Sequence, residues 1–552
     1  MKTAGAFGLL LATAWLPGWA QAGSLPSPSH TLIRSLERFE QDMRRLDRTL
    51  PAATQADTPA SDAHSAAPSP WLQQLQPPLP GAIPSSTATV AIRQRVELSL
   101  LQALELAVRN SPALAEQAAA VRERQELKRS VQGRFWPEVA LELGGSYSQL
   151  RVYNAVWTGN SGIYAQGSPF LVQSNSWQRI QSNLGLGAGG LGLRWDLVNF
   201  ERGAALAESS QELSAAKQHY ANSLRALQLD VSLAYYGLQL AEQLRRVRQA
   251  VVENDTVVRD EVQALKRSGL VPRLDLLRAE ANLQQSRYRL EQAHALRLSR
   301  ERQLSNLLNV PFEITLTAPE AVRLQPPWPL DLERTLIAGF RDNPQLLALQ
   351  AARDALLRQA DRRAAELLPS LRLFARGGLA DGLSTKPVID LKGCCGAANI
   401  PQLNGQTSDW TAGMELRWRL FDAGVTSGAV SASRAAADRT EQALARERNA
   451  IRQRLETAFF DHRAALSQIV ASRCAYTAAR EAFRDVRARY QLGLASYTDV
   501  SDTIRQLTQA MESVAESVTL ANVSYAQLLR ELLPVPTQPS APVSLPLVLP
   551  AS

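Results

Sequence analysis

The sequence predicts a mainly α-helical chain with a smaller β part, built as two copies of one unit: helix, strand, strand, long helix, turn and helix. Three observations carry this. Proline pairs recur at a constant offset, Pro112 with Pro344 and Pro137 with Pro369, each 232 positions apart (344 − 112; 369 − 137), the mark of a duplicated chain. After each second proline the apolar period changes from that of a helix to that of a strand. Two very long helical patterns end in glycine-headed turns, Gly269-Leu-Val-Pro-Arg-Leu-Asp275 and Gly493-Leu-Ala-Ser-Tyr-Thr-Asp499. Glycine takes the left-handed conformation that stops a helix. An aspartate six residues on suits the start of the next helix, where its charge meets the positive end of the dipole. Each turn therefore reads as the tip of an antiparallel helical hairpin.

A chain of 552 residues can hold several domains or one elongated one. Charged residues at 20% and aromatics at 6% suit long helices. The net charge of +8 comes from 60 basic and 52 acidic residues with both signs interspersed, which describes solvated helix faces and not a nucleic-acid footprint. The three cysteines, Cys394, Cys395 and Cys474, form no CxxC, and the five histidines show no ligand spacing. No metal site and no cofactor is expected.

Residues 1–22 read as a secretory signal peptide, with the apolar run Ala6 to Trp15 and a small-x-small site ending at Ala22. Nothing later gives the ~18 apolar residues of a membrane-spanning helix. Residues 23–94 are a Pro/Ser/Ala-rich leader. Within it Leu32, Leu36, Phe39, Met43, Leu46 and Leu50 mark one amphipathic helix over 31–50, which either docks on another helix or stands alone. Repeat 1 covers 95–310. Helices from Leu98 break at Pro112 and end near Pro137; strands follow at about 138–150 and 184–198. A long helix from about Gly203 to Arg267 leads to the tip at 267–275, and at ~1.5 Å per residue it reaches on the order of 100 Å. A linker at 311–330 lies near the equator. Repeat 2 covers 331–533, with strands at about 370–379 and 409–421, a long helix from about Thr426 to Tyr490, and the tip at 491–502. Ten positions of unbroken 4-3 spacing from Val500 to Leu532 need partner helices along their whole length. The Pro-rich tail, 534–552, reads as disordered or loosely draped.

The strands decide the setting. Val139, Leu141 and Leu143 alternate with Ala140, Glu142 and Gly144; Leu191, Leu193, Trp195 and Leu197 with Gly192, Arg194 and Asp196. Leu371, Leu373 and Ala375 alternate with Arg372, Phe374 and Arg376; Trp410, Ala412, Met414, Leu416, Trp418 and Leu420 with Thr411, Gly413, Glu415, Arg417 and Arg419. Apolar and charged sides with aromatics near the ends are what a lipid-facing barrel strand requires. Four strands cannot close a barrel with an open lumen, and an open sheet would leave unpaired backbone groups in lipid. An oligomer that pools strands resolves this, and three chains give twelve.

The order and duplication of these elements over roughly 95–533 resemble the TolC-like outer-membrane efflux proteins, the outer membrane factors. The telling pieces are Leu98-Ser-Leu-x-x-Ala-Leu with Asn110-x-Pro112, Trp195-Asp-Leu-Val with Trp418-Arg-Leu-Phe-Asp-Ala-Gly424, Ala234-Tyr235-Tyr236 with Ala458-Phe459-Phe460, and the two tips. The resemblance implies a homotrimer with a 12-stranded β-barrel in the outer membrane of a Gram-negative bacterium. A long periplasmic α-helical barrel would continue it. It implies outer-membrane lipid, a periplasmic adaptor (membrane fusion) protein and an inner-membrane transporter as partners, and no nucleic acid. The tips, with Gly269, Leu270, Gly493 and Leu494, would dock the adaptor. The family's gate aspartates fall on Asp499 and Asp502, where six carboxylates on a three-fold axis would repel one another, raise their own pKa values and favour cations. Its inter-hairpin lock falls on Tyr490 and Asp275. The lock's basic position, two after the second-tip glycine, is Ala495 here, which implies a looser resting state. Helix capping alone would also account for Asp275 and Asp499.

Gly187-Ala-Gly189-Gly190-Leu-Gly192 fits GxGxxG but leads into an alternating strand, so it reads as a place where the sheet bends or twists and not as a phosphate cradle. No Walker A, GxSxG or HExxH pattern occurs. Cys394 and Cys395 fall in an outer loop and can bridge each other or two chains in an oxidising compartment. Cys474 reads as a buried small residue within a helix. The chain is therefore expected to be a passive conduit and not an enzyme, part of a tripartite efflux pump or a type I secretion system. A structural coiled-coil envelope protein without transport activity is the alternative.

Overall fold

The computed structural model describes residues 75–156, 176–318, 322–391, 398–399, 403–543 and 545–549. The signal peptide, the 31–50 segment, Cys394 and Cys395 lie outside the described residues. In chain order the elements are β1 (Gln94–Glu97), α1 (Leu100–Asn110), α2 (Pro112–Gly133), β2 (Glu138–Val156), β3 (Ser176–Val198), α3 (Phe200–Arg267), α4 (Arg273–Leu307) and β4 (Ile314–Thr317). They continue with α5 (Leu332–Arg341), α6 (Pro344–Ala364), β5 (Ser370–Leu391), β6 (Ala398–Asn399), β7 (Leu403–Arg417), α7 (Val425–Gln491) and α8 (Tyr497–Leu532).

Local chemistry sets the helix starts. Ser99 and Gln102 form a capping box on α1, Ser111 caps α2 with Pro112 in its first turn, and Asn343 does the same for α6 with Pro344. Proline is tolerated there because that N–H has no partner within the helix. Helix α3 packs against α2, α4 and α6, and the α7–α8 hairpin packs beside it. The stripe Leu224, Leu227, Val231, Ala234, Leu238 and Ala241 is buried throughout. On α7, Leu455, His462, Ile469, Tyr476, Phe483 and Tyr490 are buried at intervals of one heptad, the seam spacing of a coiled coil. Cys474, two residues before Tyr476, falls off that seam and is exposed, which corrects the expectation of a buried cysteine.

The largest core lies at the level where both repeats start, joining Leu98, Leu104, Tyr235, Leu304, Leu316, Trp328, Leu455 and Tyr525. Three of its features differ from the sequence expectation. A parallel pair, β1 with β4, closes this region; at four residues each, the strands are too short to leave a period in the sequence. Leu75, which falls in the leader, is buried, and its carbonyl accepts from Asn110 Nδ2 at 2.9 Å. The tail is neither disordered nor loose over its described residues: Leu545 is buried, and the Leu549 N–H donates to the Tyr525 hydroxyl at 3.2 Å. Alternate apolar residues between prolines (Val543, Leu545, Leu547, Leu549) explain how it docks.

His462 sits in the α7 seam at the edge of this core. Its Nε2 accepts from the Trp328 backbone N–H at 3.2 Å, and Nδ1 lies 3.1 Å from the Ala521 carbonyl. This arrangement fits the neutral ring, with Nδ1–H donating. Burial pushes its pKa below the ordinary value, against a smaller upward pull from Ala521. An unfolded chain takes up this proton first as pH falls below ~6.5, so stability held above that pH is lost on acidification through the window beneath it. The unfolding free energy of the wild type is expected to fall from pH 7.5 to 5, by at most about 1.4 kcal/mol per pH unit from this group, and the melting temperature with it; His462→Gln is expected to flatten the slope. An unchanged slope would remove His462 as its source.

The main sheet runs β2-β3-β5-β7 in antiparallel order, with β6 paired to the far part of β5. The strands are longer than the alternation indicates, because pairing continues after the apolar pattern stops. The two Trp-containing corners are duplicated. Trp195 Nε1 donates to the Phe135 carbonyl at 3.0 Å, and Trp418 Nε1 to the Leu367 carbonyl at 3.1 Å. Each indole thus ties the end of a returning strand to the end of the preceding helix.

Candidate functional site: a two-faced sheet and a hairpin entrance

Register gathers the alternating residues onto two faces. Directly opposed residues of an antiparallel pair share a face. Leu141, Leu191, Gly377 and Trp410 form one row across four strands, and Val139, Leu193, Ala375 and Ala412 the next. Trp195, Leu373 and Met414 continue the same face. It is exposed: Leu141 is 64% accessible, Trp410 81% and Met414 67%. The other face is charged. Arg194 meets Glu142 at 3.4 Å, and Arg372 meets Asp196 at 2.7 Å and Glu415 at 3.8 Å. The outer strands β2 and β7 each have one edge unpaired among the described residues.

At the opposite end the two tips repeat one geometry. Gly269 has φ +76° and Gly493 φ +73°. The Leu270 N–H returns to the Leu265 carbonyl at 2.9 Å, and the Leu494 N–H to the Arg489 carbonyl at 2.8 Å, both closing a helix end with a left-handed glycine. Leu270 and Leu494 are left exposed. Asp275 and Asp499 both occupy the third position of the following helix. Asp499 completes a capping box: its carboxylate accepts the Ser496 backbone N–H at 2.9 Å and the Ser496 hydroxyl at 2.7 Å. The backbone bond, then the hydroxyl, hold Asp499 below the usual carboxylate range. Asp502, one turn on, pairs with Arg505.

Tyr490 enters one cluster with Val262, Leu276, Tyr497 and Val500, on all four hairpin helices; Asp275 directly precedes Leu276 on α4. Burial pushes the Tyr490 hydroxyl pKa up, and the Asp275 and Glu261 carboxylates add to it. Yet this hydroxyl makes no hydrogen bond within the described chain, and Asp275 faces Arg278 at 3.7 Å. Polar links do join the hairpins here: Asn282 of α4 donates to the Tyr497 hydroxyl and Ser501 Oγ of α8, both at 2.9 Å, and Arg487 of α7 meets Glu261 of α3 at 3.9 Å. Sequence reasoning missed the Asn282 node, since a lone asparagine on a polar helix face carries no signal until the helix register is known. Among the described residues no group of three or more His, Cys, Asp or Glu could hold a metal. No described helix is long and apolar enough to cross a membrane.

A sheet with one apolar and one charged face, carried on long helical hairpins, defines an outer-membrane channel-tunnel. The chain belongs to the outer membrane efflux protein family, whose model matches residues 103–310 and 341–532. Among curated proteins it is similar to Protein CyaE of Bordetella pertussis (strain Tohama I), 25% identical over 379 residues, 68% of this chain and 71% of that one. Among solved structures it is similar to the outer-membrane channel OprN, with a TM-score of 0.60 and 19% identity over 78% of this chain and 89% of that one. It is also similar to the Campylobacter jejuni CmeC outer membrane channel, with a TM-score of 0.58 and 14% identity over 83% and 94%. The protein is thus a channel component of an export machine, a passive conduit and not an enzyme. Members of the family are trimeric channels of the Gram-negative outer membrane that extend into the periplasm and work with adaptor proteins and inner-membrane transporters.

Proposed function

We propose that three copies of this chain pool their sheets into a 12-stranded barrel in the outer membrane and their hairpins into a periplasmic tunnel. One observation carries the reading: the apolar face spans all four main strands while the outer edges of β2 and β7 have no partner among the described residues. Open edges cannot persist in lipid, and each copy's β7 supplies what the next copy's β2 lacks. The coiled-coil alternative leaves that apolar face without a role. The tips, with Leu270 and Leu494 exposed, are the surface offered to a periplasmic adaptor, and an inner-membrane transporter supplies the energy. Asp499 and Asp502 ring the entrance. Repulsion among three copies acts against the local downward pull on Asp499, and the ring favours cations. The Tyr490–Asp275 lock is unmade within one chain, in keeping with Ala495 at its basic position, so the resting entrance is held by the Asn282 node more than by that pair.

The experiment is extraction and reconstitution. The protein is expected to need detergent, to migrate as a heat-modifiable trimer, and to form cation-selective channels in planar bilayers. Combined Asp499→Ala and Asp502→Ala is expected to reduce that selectivity. A water-soluble monomer would end the reading; trimers of unchanged selectivity would remove only the two aspartates from the entrance.

A further inference from the structure

The apolar face does not run the length of the strands. Following it away from the helices, the row Leu141, Leu191, Gly377 and Trp410 is followed by Leu143, Gly189, Leu379 and Ser408. The next row is Gly145, Gly187, Asp381 and Gln406. Beyond it the same face carries Tyr147 with Gly185 and Leu383, then Gln149 with Asn183, then Arg151. Asp381, Gln406, Gln149 and Arg151 are exposed. A carboxylate and a guanidinium on a lipid-facing surface each cost several kcal/mol near the midplane and little at the boundary. The apolar stretch of β5, Leu371 to Leu379, rises about 20 Å at ~3.4 Å per residue and a tilt of about 40°, and the Trp418 corner extends it toward the ~25 Å of a membrane barrel.

Pairing nevertheless continues. The β2–β3 ladder runs on to Val156 with Ser176, and the β3–β5 ladder to Gln178 with Leu391. From Asp381 to Leu391 the sheet rises a further distance of about 25 Å by the same geometry. Resting on the barrel reading above, we propose that the lipid ends at the row of Asp381 and Gln406, and that the rest of the sheet stands in water as a raised collar. The conduit then discharges well clear of the membrane surface. Cargo with apolar parts leaves it away from the lipid into which it would otherwise partition.

Single cysteines test this in a background carrying Cys394→Ser, Cys395→Ser and Cys474→Ser. Leu141→Cys reports the lipid band and Arg151→Cys the collar, both on one face of one strand. Intact Gram-negative cells are treated with a charged, membrane-impermeant maleimide, after each variant is shown to reach the outer-membrane fraction as a trimer; Gln149→Cys replaces Arg151→Cys if the latter fails to assemble. Arg151→Cys is expected to label at least about tenfold faster than Leu141→Cys, because lipid excludes the charged reagent. Equal protection of both positions would overturn the collar and leave the barrel standing. Rapid labelling of both would overturn the barrel reading itself, and labelling of Leu141→Cys alone would overturn the placement of the boundary.

Discussion

Gly190→Val is expected to abolish assembled channels, whereas Gly192→Val on the same face of the same strand is expected to be tolerated. The difference is steric. A Cβ added at Gly190 would lie 2.9 Å from the Gly377 carbonyl oxygen and 3.1 Å from the Gly378 Cα. These are backbone atoms of the neighbouring strand and cannot rotate away. A Cβ at Gly378 meets the Gly189 carbonyl at 2.9 Å in return, while one at Gly192 meets nothing within 4 Å. Forcing the strands apart costs about 1–3 kcal/mol or more per site, and a trimer carries the change three times. The ladder broken is β3 with β5, the junction of the two repeats. Heat-modifiable trimer in outer-membrane fractions is the measurement. Wild-type levels for Gly190→Val would show that the two strands do not approach this closely in the assembled barrel.

Arg225→Met is expected to cost about 3–5 kcal/mol of folding stability, because at least two buried carbonyls each lose a charged donor, at about 1.5–3 kcal/mol apiece. Arg225 is 4% exposed on α3. Its Nε donates to the Leu533 carbonyl at 2.6 Å, Nη1 to the Glu531 carbonyl at 2.9 Å and Nη2 to the Asp342 carbonyl at 3.4 Å. It thereby caps the end of α8, where a cation also meets the negative end of the dipole, and ties repeat 2 to the long helix of repeat 1. Burial pulls its pKa to about 10, against an upward pull from Glu531, so it stays charged at neutral pH. Methionine fills the volume but leaves buried carbonyls without donors. Arg225→Lys is expected to recover only part, since one ammonium cannot present the planar fork. Denaturant titration of the purified protein measures this, and a loss below about 1 kcal/mol for Arg225→Met would show that water replaces the guanidinium.

The faces of the sheet are legible in the amino-acid sequence, because alternation at a period of two is a direct record of which side meets which medium. Trp410, Met414 and Leu416 need only the register to join Leu141 and Leu191. The tips are legible for a similar reason: few residues other than glycine hold φ near +75°, and both positions are glycine. What escapes has no local signature. Arg225 looks like any helix-surface arginine until its distance to Leu533 is known. His462 lies in the same heptad series as Ile469, Tyr476 and Phe483, yet a histidine among tyrosines and phenylalanines does not register as a seam residue by hydrophobicity. The tail misleads because prolines dominate its composition, while the alternate Val543, Leu545, Leu547 and Leu549 decide where it lies. Asp499 is legible as a cap from its distance to Gly493; the ring proposed for it at the entrance would be a property of three chains, which one chain's residues imply only through the resemblance.

The parity of the main strands settles how a ring can close. Each chain brings two strands going out and two coming back, and β2 and β7 run in opposite directions. When β7 of one copy meets β2 of the next, that junction is antiparallel, like every junction inside a copy. A chain with three such strands would have forced a parallel joint with slanted, weaker bonding at each subunit boundary. Here the joints between molecules can match those within them, so the finished wall need hold no mechanical memory of where one polypeptide stops and the next begins.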